Sequence, residues 1–159
     1  VMGDALAICL MELKGFRSED FAKFHPGGAL GKKLYLRVQD LGVQNEKPAV
    51  KITQSLREVI VTMTAGRLGV TAVVNEGDQL VGIITDGDLR RLLDQGKSID
   101  GLTAADVMTK NPVTISPDDL AVSALDLLRK KKITQIAVAE NQQYLGIIHI
   151  HDLLREGLL

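Results

Sequence analysis

The sequence predicts an α/β (α+β) fold built from two copies of one β-α-β-β-α unit. Two observations predict this fold. Gly82-Ile83-Ile84 followed by Asp88-Leu89 recurs 64 residues later as Gly146-Ile147-Ile148 followed by Asp152-Leu153. Strand-like and helix-like patterns also follow one another in the same order in both copies. The same offset pairs three further apolar positions: Val74 with Val138, Leu56 with Leu120 and Met63 with Leu127. A gap-free offset over two whole segments indicates an internal repeat.

Each unit is expected to open with a short extended segment and to continue into a helix. The extended segments, each beside a proline, are 48–52 and 112–115. In the first copy, Ser55 and Glu58 have the spacing of a capping box, which predicts a helix over 55–67. In the second copy, Ser116-Pro117-Asp118-Asp119 predicts a helix over 118–131, because proline is tolerated in the first turn of a helix.

Two strands around a turn follow, and a second helix closes each unit. Apolar and β-branched runs predict strands over 70–74, 79–84, 133–138 and 144–148. Asn75 and Gly77 favour a turn between the first two of these strands, because both residue types tolerate a positive φ. The closing helices are expected from Asp86 to about Leu93 and from Ile150 to about Glu156. A linker over 96–106 is expected to join the two copies.

Composition and charge exclude several classes of protein. Of the 159 residues 45% are hydrophobic, which is enough for a packed core, so a disordered chain is excluded. The formal net charge of −1 argues against global attraction to nucleic acid or anionic lipid. An aromatic content of 3% leaves few rings on which bases could stack. We expect a soluble cytoplasmic protein without a nucleic-acid or membrane partner, since no span-length apolar run or signal peptide is evident.

The first thirteen residues form an apolar helical pattern around most of its circumference. Such a helix is expected to be buried against something large, which suggests that the chain begins near the end of a bigger domain. Cys9, with apolar neighbours on both sides, is expected to be a buried, unreactive thiol. As the single cysteine, it forms no internal disulfide.

Two resemblances to known families follow from these motifs. The tandem units, each ending in Gly-Ile-Ile-x-x-x-Asp-Leu, resemble a pair of cystathionine-β-synthase-type (CBS) domains over residues 48–157. Upstream segments resemble the last part of the sugar isomerase (SIS) domain of bacterial arabinose 5-phosphate isomerases, which carry one SIS domain and a C-terminal CBS pair. Those segments are Gly3-Asp4-Ala5-Leu6-Ala7, Gly15-Phe16, Glu19-Asp20-Phe21-Ala22 and His25-Pro26-Gly27-Gly28-Ala29-Leu30-Gly31.

The resemblance implies a division of the chain and an activity for the parent enzyme. The implied parts are 1–40 as the tail of a SIS domain, 41–47 as a linker, 48–100 as the first CBS domain and 101–159 as the second. The family interconverts ribulose 5-phosphate and arabinose 5-phosphate for 3-deoxy-manno-octulosonate (Kdo) in lipopolysaccharide or capsule. It needs no organic cofactor and is typically a tetramer. Its catalytic core lies in the SIS body, so this chain alone is expected to be inactive.

His25 is the candidate catalytic residue. Aldose–ketose isomerisation moves a proton between adjacent carbons and requires ring opening, and a group that titrates near neutrality suits both tasks. In the family, the histidine of the His-Pro-Gly-Gly motif belongs to the active site, and His25 matches it. The alternative is a loop histidine that caps local structure.

Thr85 and Asp88 are the candidate ligand-binding residues of the first unit. They match the Gly-x-x-Thr-x-x-Asp motif that nucleotide-binding CBS units carry where the last strand meets the last helix. A threonine hydroxyl and helix N-terminal amides suit a phosphate, and a carboxylate suits a ribose diol. The alternative is helix capping by Thr85 or Asp86 with a solvated Asp88.

The second unit departs from this motif. His149 replaces the threonine, whereas Asp152 keeps the ribose position. Strand-start residues are further candidates, because CBS ligands often contact the backbone there: Thr71, Thr134 and Gln135. Their alternative is the ordinary β-propensity of threonine. His149 and His151 share a face of an extended chain, but a third ligand is not evident, so no metal site is predicted.

Two functions are open at this point. The pair would bind a nucleotide or sugar nucleotide, such as CMP-Kdo or an adenine nucleotide, and bias a catalytic tetramer. Alternatively, it would serve only as a structural module that forms a homodimer across a two-fold axis through apolar helices such as that around Val59-Ile60-Val61.

Overall fold

The computed structural model describes residues 2–15, 20, 28–41, 46–96 and 98–158 of the chain. The helices in this part are α1 (Met2–Leu13), α2 (Ala29–Tyr35), α3 (Val38–Leu41), α4 (Leu56–Gly66), α5 (Asp86–Asp94), α6 (Ala104–Val107), α7 (Ala121–Lys131) and α8 (Ile150–Arg155). The strands are β1 (Ala49–Lys51), β2 (Val70–Val74), β3 (Leu80–Thr85), β4 (Thr109–Lys110), β5 (Thr114–Ile115), β6 (Gln135–Glu140) and β7 (Gln143–His149).

Each unit is a small sheet covered by a helix. The first sheet has the order β1-β2-β3-β4 and the second has the order β5-β6-β7. In both, the first strand pair is parallel and the next pair is antiparallel. A parallel pair needs a crossover, which α4 and α7 supply. Their buried faces are Leu56, Val59 and Met63 in α4, and Ala121, Ala124 and Leu128 in α7. The predicted α/β fold of two β-α-β-β-α units is confirmed.

A one-residue gap interrupts the repeat. Val73 pairs with Gly82 in the first unit, and Val138 pairs with Gly146 in the second. Corresponding residues are therefore 65 apart up to the hairpin turn and 64 apart beyond it, because the turn of the second unit is one residue shorter. The expectation of a gap-free offset is wrong, since Val138 corresponds to Val73 and not to Val74. A surface turn absorbs such a deletion without moving the core.

Each unit is covered by the segment that precedes the other unit in sequence. Residues 36–41, ahead of the first unit, pack on the second unit, where Val38 is 1% exposed in the core. Residues 102–107, ahead of the second unit, pack on the first unit, where Ala104 is 0% exposed. The two covering segments are thus exchanged between the units.

The exchanged segments make the same three backbone hydrogen bonds on both units. On the first unit, Leu56 N, Ala104 N and Ala105 N donate to the carbonyls of Leu102, Gln54 and Ile52. On the second unit, Ala121 N, Val38 N and Gln39 N donate to the carbonyls of Leu36, Asp119 and Pro117. All of these distances lie between 2.8 and 3.1 Å. Each segment therefore ties down the start of the crossover helix of the unit it covers.

The predicted linker between the copies contains part of this cover. Thr103 opens α6, and its backbone N–H and hydroxyl donate to the Asp106 carboxylate at 2.8 and 2.7 Å. Thr and Asp three residues apart are a cap signal. The sequence therefore contains a signal for this helix, although the segment was predicted to be a linker.

The crossover helix of the second unit starts later than predicted. It begins at Ala121, because Ser116–Asp119 fold into a turn instead of a first helical turn. Ser116 N donates to Asp119 Oδ2 at 3.1 Å, and Asp118 N donates to Ser116 Oγ at 3.3 Å. Short polar side chains that bond to nearby backbone compete with the helix in this way.

The first helix differs most from its predicted environment. Within the described residues, no side chain of α1 is buried, and Met2 and Leu13 are 88% and 82% exposed. Cys9 is exposed as well, so the prediction of a buried thiol is wrong in this structure. An apolar pattern shows which face of a helix seeks burial, and the described part of the chain supplies no surface that covers this one.

Candidate functional site

The corner between β3 and α5 holds the first pair of predicted ligand residues. Thr85 is the residue before the helix, and its hydroxyl donates to Asp88 Oδ2 at 2.6 Å. Thr85 N donates to the same carboxylate at 2.8 Å, and Asp88 N donates to Thr85 Oγ1 at 3.4 Å. The structure thus brings both residues together as a reciprocal helix cap.

Asp88 has further partners at its second carboxylate oxygen. Arg91 pairs with Asp88 Oδ1 from the next turn of the helix, and the Thr109 hydroxyl donates to it at 3.5 Å. The Asp88 side chain is only 10% exposed. A ligand at this corner would therefore share or displace hydrogen bonds that the chain already makes.

The second unit repeats this cap with different chemistry. His149 N donates to Asp152 Oδ2 at 2.8 Å, and His151 N donates to His149 Nδ1 at 3.1 Å. The rings of His149 and His151 are stacked with centroids 4.6 Å apart. Burial and the nearby His151 lower the pKa of His149, partly offset by Asp152. His149 is therefore neutral at pH 7, with Nδ1 as the acceptor.

Asp152 is the more deeply placed of the two predicted carboxylates. Its residue is 4% exposed, and Arg155 Nη1 lies 3.9 Å from its Oδ1. A buried carboxylate needs such hydrogen bonds and counter-charges. Asp152 therefore stabilises the start of α8, whatever else it contacts.

The predicted strand-start residues have structural partners. Thr71 is 0% exposed, so its side chain is enclosed by the fold. Gln135 Nε2 crosses to the first unit and donates to Leu68 O at 2.9 Å. The Thr134 hydroxyl donates to Gln135 Oε1 at 2.7 Å. Thr134 and Gln135 thus help to hold the two units together. The predicted catalytic His25 lies outside the described residues.

A cavity lies beside the sheet of the second unit. It has a volume of about 500 Å³. Its walls are Val38, Gln39, Lys47, Pro117, Val138, Glu140, Leu145, Gly146, Ile147 and Ile148. A cavity of this size, mostly apolar with a few polar groups, is typical of small-molecule sites. Ile148 places it next to the His149 corner, although none of the predicted ligand residues is in its wall.

The corresponding place in the first unit is filled. A Cβ added to Gly82 would lie 2.6 Å from Met108 Sδ, so Met108 packs directly on that glycine. A Cβ added to Gly146 would meet only Lys47 Cγ, at 3.9 Å, among the described residues. The segment that corresponds to Met108 falls within 42–45, outside the described residues. The repeated glycines are a sequence signal that could have located this cavity. No sequence signal indicated that residues 38–39 form part of its wall.

The described part of the chain contains neither a metal-ligand cluster nor a membrane-spanning helix. No three His, Cys, Asp or Glu side chains there converge in a way that could hold a metal ion. No helix in the described part of the chain is both long and apolar enough to span a bilayer.

Comparison with known proteins identifies the units. The CBS domain family matches residues 38–95 and 104–158. The chain belongs to the CBS domain family. Both matches take in the short helix that precedes each unit, α3 in one case and α6 in the other. The predicted resemblance to a tandem CBS pair is confirmed.

Curated relatives extend the similarity over the whole chain. The chain is 48% identical over 160 residues to arabinose 5-phosphate isomerase KdsD of Escherichia coli K12, and 44% identical over 161 residues to KdsD of Pseudomonas aeruginosa. In both cases the alignment covers 100% of this chain and 49% of the relative. The chain thus spans about half the length of the isomerases that it resembles.

Solved structures share the fold. The CBS domain of a membrane protein from Sphaerobacter thermophilus is 26% identical with a TM-score of 0.68, covering 90% of this chain and 98% of that one. The CBS pair of protein MJ0100, in complex with 5′-methylthioadenosine and S-adenosyl-L-methionine, is 25% identical with a TM-score of 0.63, covering 75% and 97%. A Pyrobaculum aerophilum CBS protein complexed with AMP is 22% identical with a TM-score of 0.68, covering 74% and 90%.

Proposed function

We propose that the chain is the regulatory CBS pair of an arabinose 5-phosphate isomerase. The observation that carries this proposal is the 48% identity to such an enzyme along the whole chain. The parent enzyme would interconvert ribulose 5-phosphate and arabinose 5-phosphate in the cytoplasm, for Kdo and lipopolysaccharide synthesis. In this proposal residues 1–40 are the tail of its SIS domain, 41–47 a linker, and 48–100 and 101–159 the CBS domains.

The effector is a nucleotide or a sugar nucleotide, with CMP-Kdo and adenine nucleotides as the two candidates. The cavity of about 500 Å³ supports this, because its apolar walls suit a base. Lys47 in the same wall supplies a cation for a phosphate. The CBS pair of protein MJ0100 holds two adenosine-derived ligands. His149 and Asp152, next to Ile148 of the cavity wall, are the residues proposed to contact the effector's sugar or phosphate in this unit. In the first unit, where Met108 fills the place beside Gly82, Thr85 and Asp88 are proposed to contact the effector at the strand-to-helix corner itself.

Titration calorimetry of the chain with CMP-Kdo, CMP, AMP and ATP tests the effector proposal. We expect saturable heat with at least one of them and a loss of about tenfold in affinity in Lys47→Ala, which removes the phosphate's cation. Lys110→Ala, which removes an exposed cation beside the first unit, is the matched control and should bind as the parent does. Absence of heat with all four nucleotides would sink the proposal.

A second candidate is a purely structural role as a homodimerisation module within a homotetrameric enzyme. The capping contacts favour it, because Thr85, Asp88, His149 and Asp152 already bond to their own helices. The double variant Thr85→Ala/Asp88→Ala separates the two functions. Unchanged effector response of the intact enzyme, with its assembly state preserved on a sizing column, would favour the structural role.

The chain alone is proposed to lack isomerase activity, with His25 belonging to an active site completed elsewhere in the parent enzyme. We expect no conversion of arabinose 5-phosphate by the purified chain in a coupled assay. In the intact enzyme, the His25 equivalent changed to Asn should reduce kcat more than it changes KM. Turnover by the isolated chain near the rate of the intact enzyme would contradict this.

A further inference from the structure

Tyr144 and Leu80 occupy corresponding positions across an approximate two-fold axis between the units. Leu80 is the first residue of β3 and Tyr144 the second of β7, and each bonds to the turn of the other unit. Leu80 N donates to Gln142 O at 2.8 Å, and Tyr144 N donates to Asp78 O at 3.4 Å. The surroundings of the two side chains can therefore be compared directly.

The Tyr144 side chain fills its place. It packs with the apolar cluster between the sheets, and its hydroxyl donates to Pro48 O at 3.3 Å, just before β1. Pro48 O also accepts Ala72 N at 2.9 Å. Burial raises the pKa of the Tyr144 phenol above its ordinary value, so the hydroxyl stays a neutral donor. This corner of the fold thus accommodates an aromatic ring with one hydrogen-bond donor.

The Leu80 side chain packs against the same apolar cluster but leaves open space beside it. A cavity of about 380 Å³ lies there. It is lined by Leu80 from the first unit and by Asn111, Pro112, Thr114, Ala139, Asn141 and Gln142 from the second. Pro112 and Thr114 flank Val113, which corresponds to Pro48 under the 65-residue offset, and Gln142 corresponds to Asp78 under the 64-residue offset. Leucine is shorter than tyrosine and carries no hydroxyl, so it leaves the space that the ring takes up on the other side.

The chemistry of this cavity is uncharged. Its polar side chains are three carboxamides, of Asn111, Asn141 and Gln142, and one hydroxyl, of Thr114. Leu80 supplies an apolar wall that suits the face of a ring. A charged ligand such as a phosphate finds no counter-charge among these residues, whereas a neutral ring with a donor finds acceptors.

We propose that this cavity is a binding site for a small neutral aromatic ring that carries a hydrogen-bond donor, of the phenol class. The ring takes the position that Tyr144 takes on the other unit, and its donor bonds to Val113 O, the counterpart of Pro48 O. The cavity shares no wall residue with the proposed effector cavity. The inference therefore stands or falls independently of the proposed function.

The probe is 4-methylphenol, which is the tyrosine side chain as a free molecule. Titrated into the full chain and followed by methyl NMR, it should give saturable shifts confined to Leu80, Ala139 and Thr114. A dissociation constant on the order of 1 mM is expected for so few atoms. Toluene, which lacks the donor, should bind about tenfold more weakly.

Two variants locate the site. Leu80→Tyr fills the cavity from within, so it should lower the affinity for 4-methylphenol at least tenfold without lowering the thermal midpoint. Tyr144→Leu empties the related place and should add a second saturable site, with shifts near Pro48. Shifts that do not saturate, that fall outside the cavity wall, or that persist in Leu80→Tyr would overturn the inference. If Leu80→Tyr does not fold, the position of the shifts in the parent chain decides.

Discussion

The two CBS units share their strand register but differ in what covers the repeated glycine. In the first unit, β4 pairs beside Gly82 and Met108 packs on it. In the second unit, a cavity of about 500 Å³ lies beside Gly146, with Lys47 at its edge. The repeat therefore sets the backbone of both units, whereas the covering segments decide which of them offers room for a ligand.

The strand-to-helix corners of the two units share one geometry but differ in the residue that precedes the helix. In both corners, the backbone N–H of the residue before the helix donates to the Asp carboxylate three residues later, at 2.8 Å in each case. The residue before the helix is a hydroxyl in Thr85 and an imidazole in His149. Only the imidazole changes its charge between pH 5 and 8. One geometry thus supports a pH-independent corner and a pH-dependent one.

The largest expected loss of stability comes from placing a carboxylate in the buried part of each exchanged covering segment. Val38→Asp buries a carboxylate in the core of the second unit, and Ala104→Asp does so in the first. Each should cost about 3–5 kcal/mol in the free energy of unfolding, because no partner is built for the charge. Leu93→Asp, at a residue that is 60% exposed, is the control and should cost less than about 1 kcal/mol.

Amide hydrogen exchange shows which of the two units each variant destabilises. Val38→Asp should speed exchange in α7 of the second unit, and Ala104→Asp should speed it in α4 of the first. If each variant instead speeded exchange in the unit that follows it in sequence, the exchange of covering segments would be refuted.

Removing Met108 is expected to make the first unit resemble the second. Met108→Ala should cost about 1–2 kcal/mol, less than a fully buried methionine, because this side chain is only half-buried. It should also open space beside Gly82. Met108→Leu keeps the volume and serves as the control. Urea unfolding gives the cost, and an unchanged midpoint in Met108→Ala would show that the contact contributes nothing.

Helix capping separates the two crossover helices by a smaller amount. The Ser55 hydroxyl and the Glu58 carboxylate cap α4 reciprocally, whereas Leu120 before α7 makes no side-chain cap. Ser55→Ala should therefore cost about 1 kcal/mol. Ser116→Ala, in the turn ahead of α7, should cost less than about 0.5 kcal/mol. Equal losses in thermal unfolding would contradict this difference between the units.

The smallest expected effect is the pH dependence of the second corner. The folded-state pKa of His149 lies below its ordinary value, so the unfolded chain binds a proton more readily. Its contribution to stability is complete above pH 6.5 and declines as the pH falls through the folded-state pKa. His149→Thr, which copies Thr85, should remove this part of the dependence in urea midpoints between pH 5 and 8. An unchanged profile would argue against it.

Much of the fold could be predicted because the repeat carries its own evidence. Gly82-Ile83-Ile84 and its copy mark the same strand twice, and the Ser55 cap marks a helix start. The turn deletion escaped prediction because every residue of β2 is buried. Its sequence is a nearly continuous apolar run, without the alternation that would reveal a one-residue shift. The exchange of covers escaped it because the contact between Val38 and the second unit joins residues far apart in sequence.

The candidate site was only partly predictable for the same reason. The motif located the corners at Thr85 and His149, and these do hold the predicted carboxylates nearby. The cavity lies beside the corner, and its wall includes Gln39 from a segment assigned no ligand role. Sequence motifs indicate which groups can contact a ligand, but the empty space is a property of the assembled packing.

The exchange of covering segments makes each unit depend on the other for part of its core. A single unit with only its own preceding segment would leave the core beside its crossover helix uncovered and would offer that segment to another molecule. Two such molecules would complete each other by trading arms, as in a domain-swapped dimer. The tandem pair is thus equivalent to that dimer with its two subunits fused into one polypeptide, and cutting it between the units would restore two mutually dependent halves.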